Sequence, residues 1–175
     1  LTHLTPGAVC PGSALEEKRA SMTSTISTAR TTDATGTRSR RPVPTPTPDT
    51  EFYWTEAAAG RLVVRRCLDC DVAYFYPRDF CPGCLSTNVD WMPCSGRATL
   101  HTFVIEHRPG PGYEDDVPYV VAVVDLEEGP RMMTNIVGVD PDPDSLELDM
   151  PLTVVFERRG EIAVPMFEPA TGAAR

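Results

Sequence analysis

Residues 67–84, CLDCDVAYFYPRDFCPGC, contain two Cys-x-x-Cys pairs that are separated by ten residues. Two residues between paired cysteines allow one tight turn to aim both sulfurs at a single ion, and four thiolates satisfy a tetrahedral zinc. The second pair encloses Pro82 and Gly83, which are strong turn-formers. The spacing therefore predicts one metal site built from two turns. Its predicted ligands are Cys67, Cys70, Cys81 and Cys84.

The donor set indicates what the metal does. A catalytic zinc keeps an open coordination position, whereas four thiolates close the shell. We therefore interpret the site as structural zinc that holds together a ribbon too small to have its own core. Iron in the same cage, as in a rubredoxin-like electron carrier, and a redox dithiol are the alternatives. Cys94 lies outside the ligand spacing and is interpreted as a small buried residue.

Composition narrows the function classes. Residues 50–175 contain ten arginines, no lysine and 21 acidic residues. Such a domain repels phosphate backbones, and it has no lysine for Schiff-base chemistry. The N-terminal sequence has no continuous apolar h-region, so we expect no secretory signal, and no apolar run approaches the ~18 residues of a membrane span. Clustered cysteines without such a signal predict a metal site in a reducing compartment, and we expect a cytoplasmic protein.

The chain divides into five segments by composition. Residues 1–48 are rich in Thr, Ser and Pro and are predicted to form a disordered tail. Residues 49–66 predict a short helix, capped at Asp49 or Thr50 and stopped at Gly60, followed by a lead-in strand. The helix begins with the aromatic run Phe-Tyr-Trp at 52–54, which we expect to pack on the domain, with contact to a partner as the alternative.

The ribbon is assigned to residues 67–93, and residues 94–169 predict strands almost without helix. GRATLHTFVIEHR alternates as a strand does, YVVAVVDLEEGPRMMTNIVGV contains two strands joined by a turn, and LTVVFERRGEIAVPMFEP is a hairpin that turns at residues 159–160. Five such strands suit a closed barrel of the OB type, with a Greek-key sandwich as the alternative. Residues 170–175 form a short tail. The predicted fold is thus mainly β.

The sequence provides no recognisable catalytic set. His101 lies on a predicted strand and His107 at its end, and Glu106 beside His107 points to the opposite face because neighbouring positions in a strand do so. The acidic residues at 140, 142 and 144 alternate with prolines, which breaks the calcium-loop template. We therefore predict no catalytic residue.

Several of these stretches together resemble a known family. They are the aromatic helix start, the four cysteines with Pro77 and Pro82, SGRAT at 95–99, the loop HRPGPGYEDDVPY and the stretch VPYVVAVVDLEEGPRMMTN. In this combination the chain resembles, from about Thr50 to Pro169, an acyl-CoA-associated family in which a rubredoxin-like zinc ribbon is fused to an OB-fold.

The resemblance implies a partner protein. Members of that family accompany thiolase-superfamily enzymes, which supply the catalytic residues, and they support acyl-CoA binding or the stability of a hetero-oligomer. The zinc ligands carry over to the four cysteines named above, and no catalytic residue does. The arginines that we expect to contact CoA phosphates are Arg97, Arg108 and Arg131. A nucleic-acid-binding ribbon–barrel module is the alternative from another class, because aromatic residues on such folds stack on bases.

Overall fold

The computed structural model describes residues 41–170. Helix α1 (Glu51–Ala58) is followed by three short strands, β1 (Val63–Cys67), β2 (Ala73–Tyr74) and β3 (Val89–Pro93). The longer strands are β4 (Arg97–Glu106), β5 (Tyr119–Leu126), β6 (Arg131–Ile136), β7 (Pro151–Arg159) and β8 (Ile162–Pro169). A 3-10 helix, Pro143–Ser145, lies between β6 and β7. Most of the predicted N-terminal tail (residues 1–40) and residues 171–175 lie outside the described residues.

The strands form two sheets. β2, β1 and β3 make a small antiparallel sheet, and the remaining strands close into a barrel in the order β4-β5-β6-β8-β7. Neighbouring barrel strands are antiparallel except β6 and β8, which pair in parallel. The predicted mainly β fold, with a short helix, a ribbon and a five-stranded OB-like barrel, is confirmed. A Greek-key sandwich is wrong because β7 pairs with β4 and closes the sheet.

β5 shows why this sequence forms a barrel strand. Its residues alternate between half-buried and buried along the whole strand. The inward positions are Val120, Ala122, Val124 and Leu126, each at most 3% exposed. A period of two places every second side chain on one face, so the apolar set fills the barrel interior.

β4 departs from simple alternation at His101. The register against β5 shifts between Leu100 and Thr102, which is a β-bulge. Leu100 faces the core before the bulge, and Phe103 packs against the core after it, while Val104 is 60% exposed. The extra residue at the bulge therefore shifts the inward-facing positions of β4 from even to odd residue numbers.

One continuous core joins the helix, the ribbon and the barrel. Tyr53 and Trp54 of α1 and Val64 of β1 are buried in the same cluster as Leu100 and Phe167 of the barrel. The expected packing of the aromatic helix on the domain is confirmed for Tyr53 and Trp54, whereas Phe52 is 46% exposed. The ribbon therefore shares the hydrophobic core of the barrel through β1.

Residues 41–48, which the sequence assigns to the tail, contact the barrel. Arg41 bonds to Asp116, and the carbonyl of Pro42 accepts a hydrogen bond from Arg159. Thr50 is the N-cap residue of α1, but its hydroxyl bonds to Thr47 rather than to the helix. Among residues 41–170 no helix is long and apolar enough to cross a bilayer.

Candidate metal centre and its surroundings

The four cysteines lie on two turns at one end of the small sheet. Cys67 is the last residue of β1 and Cys70 follows in the turn toward β2, whereas Cys81 and Cys84 lie in the turn that precedes β3. The Sγ atoms of Cys67 and Cys84 are 3.6 Å apart, as are those of Cys70 and Cys81. All four sulfurs lie within 4.8 Å of one another. The fold thus brings both Cys-x-x-Cys pairs to one point.

The two turns repeat the same backbone pattern. In the first, the N–H of Asp71 donates to the carbonyl of Cys67 (3.0 Å), and in the second the N–H of Leu85 donates to the carbonyl of Cys81 (2.9 Å). Asp71 and Leu85 each follow the second cysteine of a pair, and both have left-handed backbones with φ of 64° and 63°. This matching geometry aims two sulfurs from each turn at a shared centre.

The sulfur geometry fits a bound metal ion. The 3.6 Å separations exceed the ~2.05 Å of a disulfide. They are close to the spacing of about 3.8 Å that follows from four thiolates at ~2.3 Å around a tetrahedral zinc. Backbone N–H groups of Cys84 and Gly83 lower the pKa of the Cys81 thiol to about 7. This shift favours the thiolate form of Cys81, whereas hydrogen bonds among the sulfurs raise the pKa of Cys70 and Cys84, so a metal ion that binds there displaces their protons. Four soft donors in a closed shell suit structural metal binding.

Asp69 braces the two turns against each other. Its carboxylate accepts hydrogen bonds from the Ser86 hydroxyl (2.5 Å) and from the Asn88 side-chain amide (2.6 Å). These bonds, Ser86 first, hold the pKa of Asp69 below its ordinary value. No local sequence signal marks this role of Asp69, because its partners are 17 and 19 residues away.

Cys94 lies apart from the four-sulfur cluster, as its spacing predicts. The side chain is partly buried against the core. Burial, followed by the neighbouring Glu128 carboxylate, raises the pKa of the Cys94 thiol to about 12. A thiol that resists ionisation is a poor metal ligand. Cys10 lies outside the described residues.

The ribbon is tied to the helix by a stack on β1. The guanidinium of Arg65 lies 4.1 Å from the ring centroid of Trp91 on β3 and donates a hydrogen bond of 2.7 Å to Asp79. The ring of Phe52 on α1 packs against Trp91 at a centroid distance of 5.0 Å. Helix, sheet and second turn are therefore held by one cation–aromatic stack.

The three arginines that the resemblance points to do not lie together. Arg97 begins β4 and Arg131 begins β6, so both lie near one end of the barrel strands, where they pair with Glu127 (2.6 Å) and Asp125 (2.7 Å). Arg108 follows the far end of β4, about 30 Å away for a ten-residue strand. Arg97 and Arg131 are neighbours on the exterior, and Arg108 is remote from them.

A buried arginine is a feature that the sequence did not reveal. Arg159, at the tip of the β7–β8 hairpin, is 5% exposed. It donates hydrogen bonds to Glu157 (2.7 Å), to the carbonyl of Pro42 (3.1 Å) and to the hydroxyl of Tyr113 (3.1 Å). No local signal marks it, since its partners at 42 and 113 become neighbours only in the folded chain.

The fold and the site define a class of protein, in which a four-cysteine metal ribbon is joined to an OB-fold barrel. Family models match the same two parts: residues 54–90 match "ChsH2, rubredoxin-like zinc ribbon domain" and residues 91–157 match "ChsH2, C-terminal OB-fold domain". The chain belongs to the DUF35 family.

Relatives within this family differ in how much of their length the chain spans. A DUF35 domain-containing scaffold protein of Methanothermobacter thermautotrophicus is 36% identical over 98 residues, which cover 55% of the chain and 72% of that protein. A probable enoyl-CoA hydratase alpha subunit of Thermomonospora curvata is 36% identical over 132 residues, or 74% of the chain, but the chain spans only 40% of that protein. A chain of the solved structure "Ltp2-ChsH2(DUF35) aldolase" is 33% identical, with a TM-score of 0.65 over 74% of this chain and all of that one.

Proposed function

We propose that this chain is a non-catalytic accessory subunit. It docks on a thiolase-superfamily enzyme (a thiolase, aldolase or synthase) and supports acyl-CoA binding or complex stability in lipid- or sterol-type metabolism. The proposal rests on the similarity, over 74% of this chain and the whole of the matched one, to a chain of the solved structure "Ltp2-ChsH2(DUF35) aldolase". The description of another relative as a scaffold protein supports the same role.

The surface of the chain favours an acyl-CoA site that is shared with the partner. A depression of about 220 Å³ beside Tyr119 is smaller than a usual ligand pocket, and Arg41 at its edge is already paired with Asp116. A wider depression of about 750 Å³ next to the 3-10 helix is lined by acidic residues, which repel phosphate. Arg97, Arg108 and Arg131 remain our candidates for CoA phosphate contacts in the assembled complex.

The metal in this proposal is structural Zn²⁺ rather than iron. Cys67, Cys70, Cys81 and Cys84 hold it, and it contributes folding free energy to the ribbon. Cysteines that bind a metal instead of forming disulfides are typical of a reducing compartment, so we place the protein in the cytoplasm. Elemental analysis of the purified protein tests the metal: one zinc per chain in a colourless protein is expected, whereas a red protein that bleaches on reduction contradicts it.

The outer face of the barrel argues against a nucleic-acid binder. OB-folds that bind single strands place aromatic and basic side chains on this face. Here Val121 and Val123 of β5 and Met133 of β6 point outward, and the adjoining loop carries Asp115 and Asp116. Aliphatic side chains next to acids provide neither stacking on bases nor neutralisation of a phosphate backbone.

Affinity purification from the native host followed by mass spectrometry tests the function. A thiolase-superfamily enzyme in near-equal amount is expected, and the tagged chain alone should show little turnover of acyl-CoA. Recovery of the chain without such an enzyme, or tight salt-dependent binding to an oligonucleotide, contradicts the proposal.

A further inference from the structure

The two metal-binding turns present apolar side chains to solvent. Leu68 is 57% exposed, Val72 44%, Phe80 44% and Leu85 73%. These four side chains are called the knuckle patch. Each lies within two residues of a cysteine of the cluster, so the turns that converge on the metal also fix their positions. Exposed apolar side chains that are concentrated in one small element mark an interaction surface.

Leu85 adds an independent observation. Its φ of 63° is a conformation that a residue with a Cβ adopts at a cost and that glycine adopts freely. The side chain is largely exposed, so burial within this chain does not offset the cost. A strained residue that persists on a surface points to a function for its side chain.

The ribbon and the barrel also differ in net charge. Residues 61–93 contain four arginines and four acids, whereas residues 94–170 contain five arginines and 15 acids. Arg66 pairs with Asp71 and Arg65 with Asp79, which leaves the ribbon nearly neutral beside an acidic barrel. The ribbon therefore repels an acidic partner less than the barrel does.

The net charge of the chain also indicates which kind of partner binds the knuckle patch. Two copies of a chain with net charge −9 repel each other, and an anionic bilayer repels each copy. We infer that the knuckle patch is the surface by which the chain docks on its thiolase-superfamily subunit, with the Leu85 side chain inserted into an apolar recess of that enzyme. This inference rests on the proposed function and deepens it by assigning the contact.

The test is Leu85→Gly, because the two roles of this residue predict effects of opposite sign. Glycine accepts the left-handed backbone, so the variant should keep its zinc and melt at the same temperature or about 1–3 °C higher. Loss of the buried anchor should weaken binding to the co-purified thiolase-superfamily subunit at least tenfold, as measured by isothermal titration calorimetry.

Two variants serve as matched controls. Asp71→Gly makes the same backbone change at the equivalent position of the first turn, where φ is 64°, and removes no apolar side chain. Met133→Ser removes an apolar side chain that is 72% exposed on the barrel. Both should bind the subunit within about twofold of the parent, since both keep all four side chains of the knuckle patch and Asp71→Gly releases only an exposed ion pair with Arg66.

The outcomes separate the inference from the function on which it rests. If the parent binds the enzyme and Leu85→Gly binds equally well, the inference is overturned and the proposed function stands. If Met133→Ser loses binding, the interface includes the outer face of the barrel, and the assignment of the contact to the knuckle patch is overturned. A parent chain that enriches no thiolase-superfamily enzyme overturns both. If the parent sediments as a dimer and Leu85→Gly as a monomer, the patch binds a second copy of this chain. That result would overturn the inference that the patch binds the thiolase-superfamily subunit.

Discussion

Gly96 shows how a single residue is constrained at the junction of ribbon and barrel. Its φ is 79°, and a Cβ added there would lie 2.7 Å from Cγ1 of Val154 on β7. Its carbonyl also accepts a hydrogen bond from the N–H of Val154 (2.8 Å), which fixes the backbone in place. The position therefore requires glycine for two reasons, conformation and space.

We expect Gly96→Ala to lower the free energy of unfolding by about 2 kcal/mol, because backbone strain and overpacking add. Gly60→Ala is the matched control, since φ is 76° there and nothing lies within 4 Å of an added Cβ. It should cost about 1 kcal/mol from conformation alone. Urea unfolding of both variants measures the difference, and equal losses would refute the steric part.

Arg131 and Asp125 provide a pH-dependent test on the barrel exterior. The hydrogen bond from Arg131, with a smaller contribution from His101, holds the pKa of Asp125 below its ordinary value. A depressed folded-state pKa stabilises the protein above the unfolded pKa, and this contribution is lost as pH falls through the folded value. Arg131→Gln should therefore raise the pKa of Asp125, with a cost at pH 7 below about 1 kcal/mol.

The stability difference between the parent and Arg131→Gln should vanish once pH falls below the folded pKa of Asp125, because the carboxyl is then protonated in both proteins. NMR titration of Asp125 and urea unfolding across the acidic range measure the two effects. Arg97→Gln, whose partner is Glu127, should leave the pKa of Asp125 unchanged. An unshifted Asp125 in Arg131→Gln would exclude Arg131 as the main cause.

At the scale of elements, β5 and β4 were predictable as strands, but the face that each turns toward the core was not. In β5 the apolar run at residues 120–124 predicts a strand, but its inward face becomes evident only in the structure, where every second residue is buried. In β4 both Val104 and its neighbours Phe103 and Ile105 are apolar, so the sequence does not reveal which phase faces inward after the bulge at His101. The bulge depends on the pairing of β4 with β5, which is a property of the sheet.

The metal-binding end of the ribbon is the part that we expect to unfold separately, because Cys67, Tyr74 and Cys81 form a buried cluster apart from the main core. Cys81 is fully buried, and its sulfur belongs to the four-sulfur cluster. Cys81→Ser should lose the bound zinc and the docking to the partner, since a structural metal supplies the folding free energy of so small a unit. Amide exchange should show protection lost in the two turns and in β2, and retained at Val63 and Val64 of β1 and in much of the barrel.

Cys94→Ser is the matched control for Cys81→Ser, because Cys94 lies outside the cluster. Its metal content should stay at one zinc per chain. The assignment of ligands is contradicted if Cys81→Ser keeps its zinc and its partner. A chelator should reproduce the Cys81→Ser exchange pattern in the parent, which ties the effect to the metal rather than to the substitution.

At the scale of the whole molecule, the sequence predicted the architecture better than the contacts that join its distant parts. The cysteine spacing located the metal site because its chemistry is local, and strand periodicity located the barrel. The Arg159 network was not predictable, because Pro42 and Tyr113 are 117 and 46 residues away from Arg159. Such contacts depend on chain topology, which no short window of sequence contains.

This network links three distant segments at one end of the barrel. Arg41 pairs with Asp116 and Glu157, and its guanidinium lies 5.0 Å from the ring centroid of Tyr113. Arg159 completes the set from the β7–β8 hairpin. Residues 41–48, the loop after β4 and the hairpin are thereby fastened together, and the buried guanidinium is the shared donor.

We therefore expect Arg159→Met to lower the free energy of unfolding by about 2–3 kcal/mol, because the Pro42 carbonyl and the Tyr113 hydroxyl lose their donor and Glu157 keeps only Arg41. The neighbouring Arg158→Met removes an exposed arginine that donates to the carbonyl of Ala58, and it should cost less than about 1 kcal/mol. Urea unfolding compares the two variants. Amide exchange should quicken in the loop at residues 107–118 of Arg159→Met alone, since its Tyr113 anchor is released. Equal destabilisation by both variants, or an unchanged loop, would show that the hairpin and the loop are held by packing rather than by this arginine.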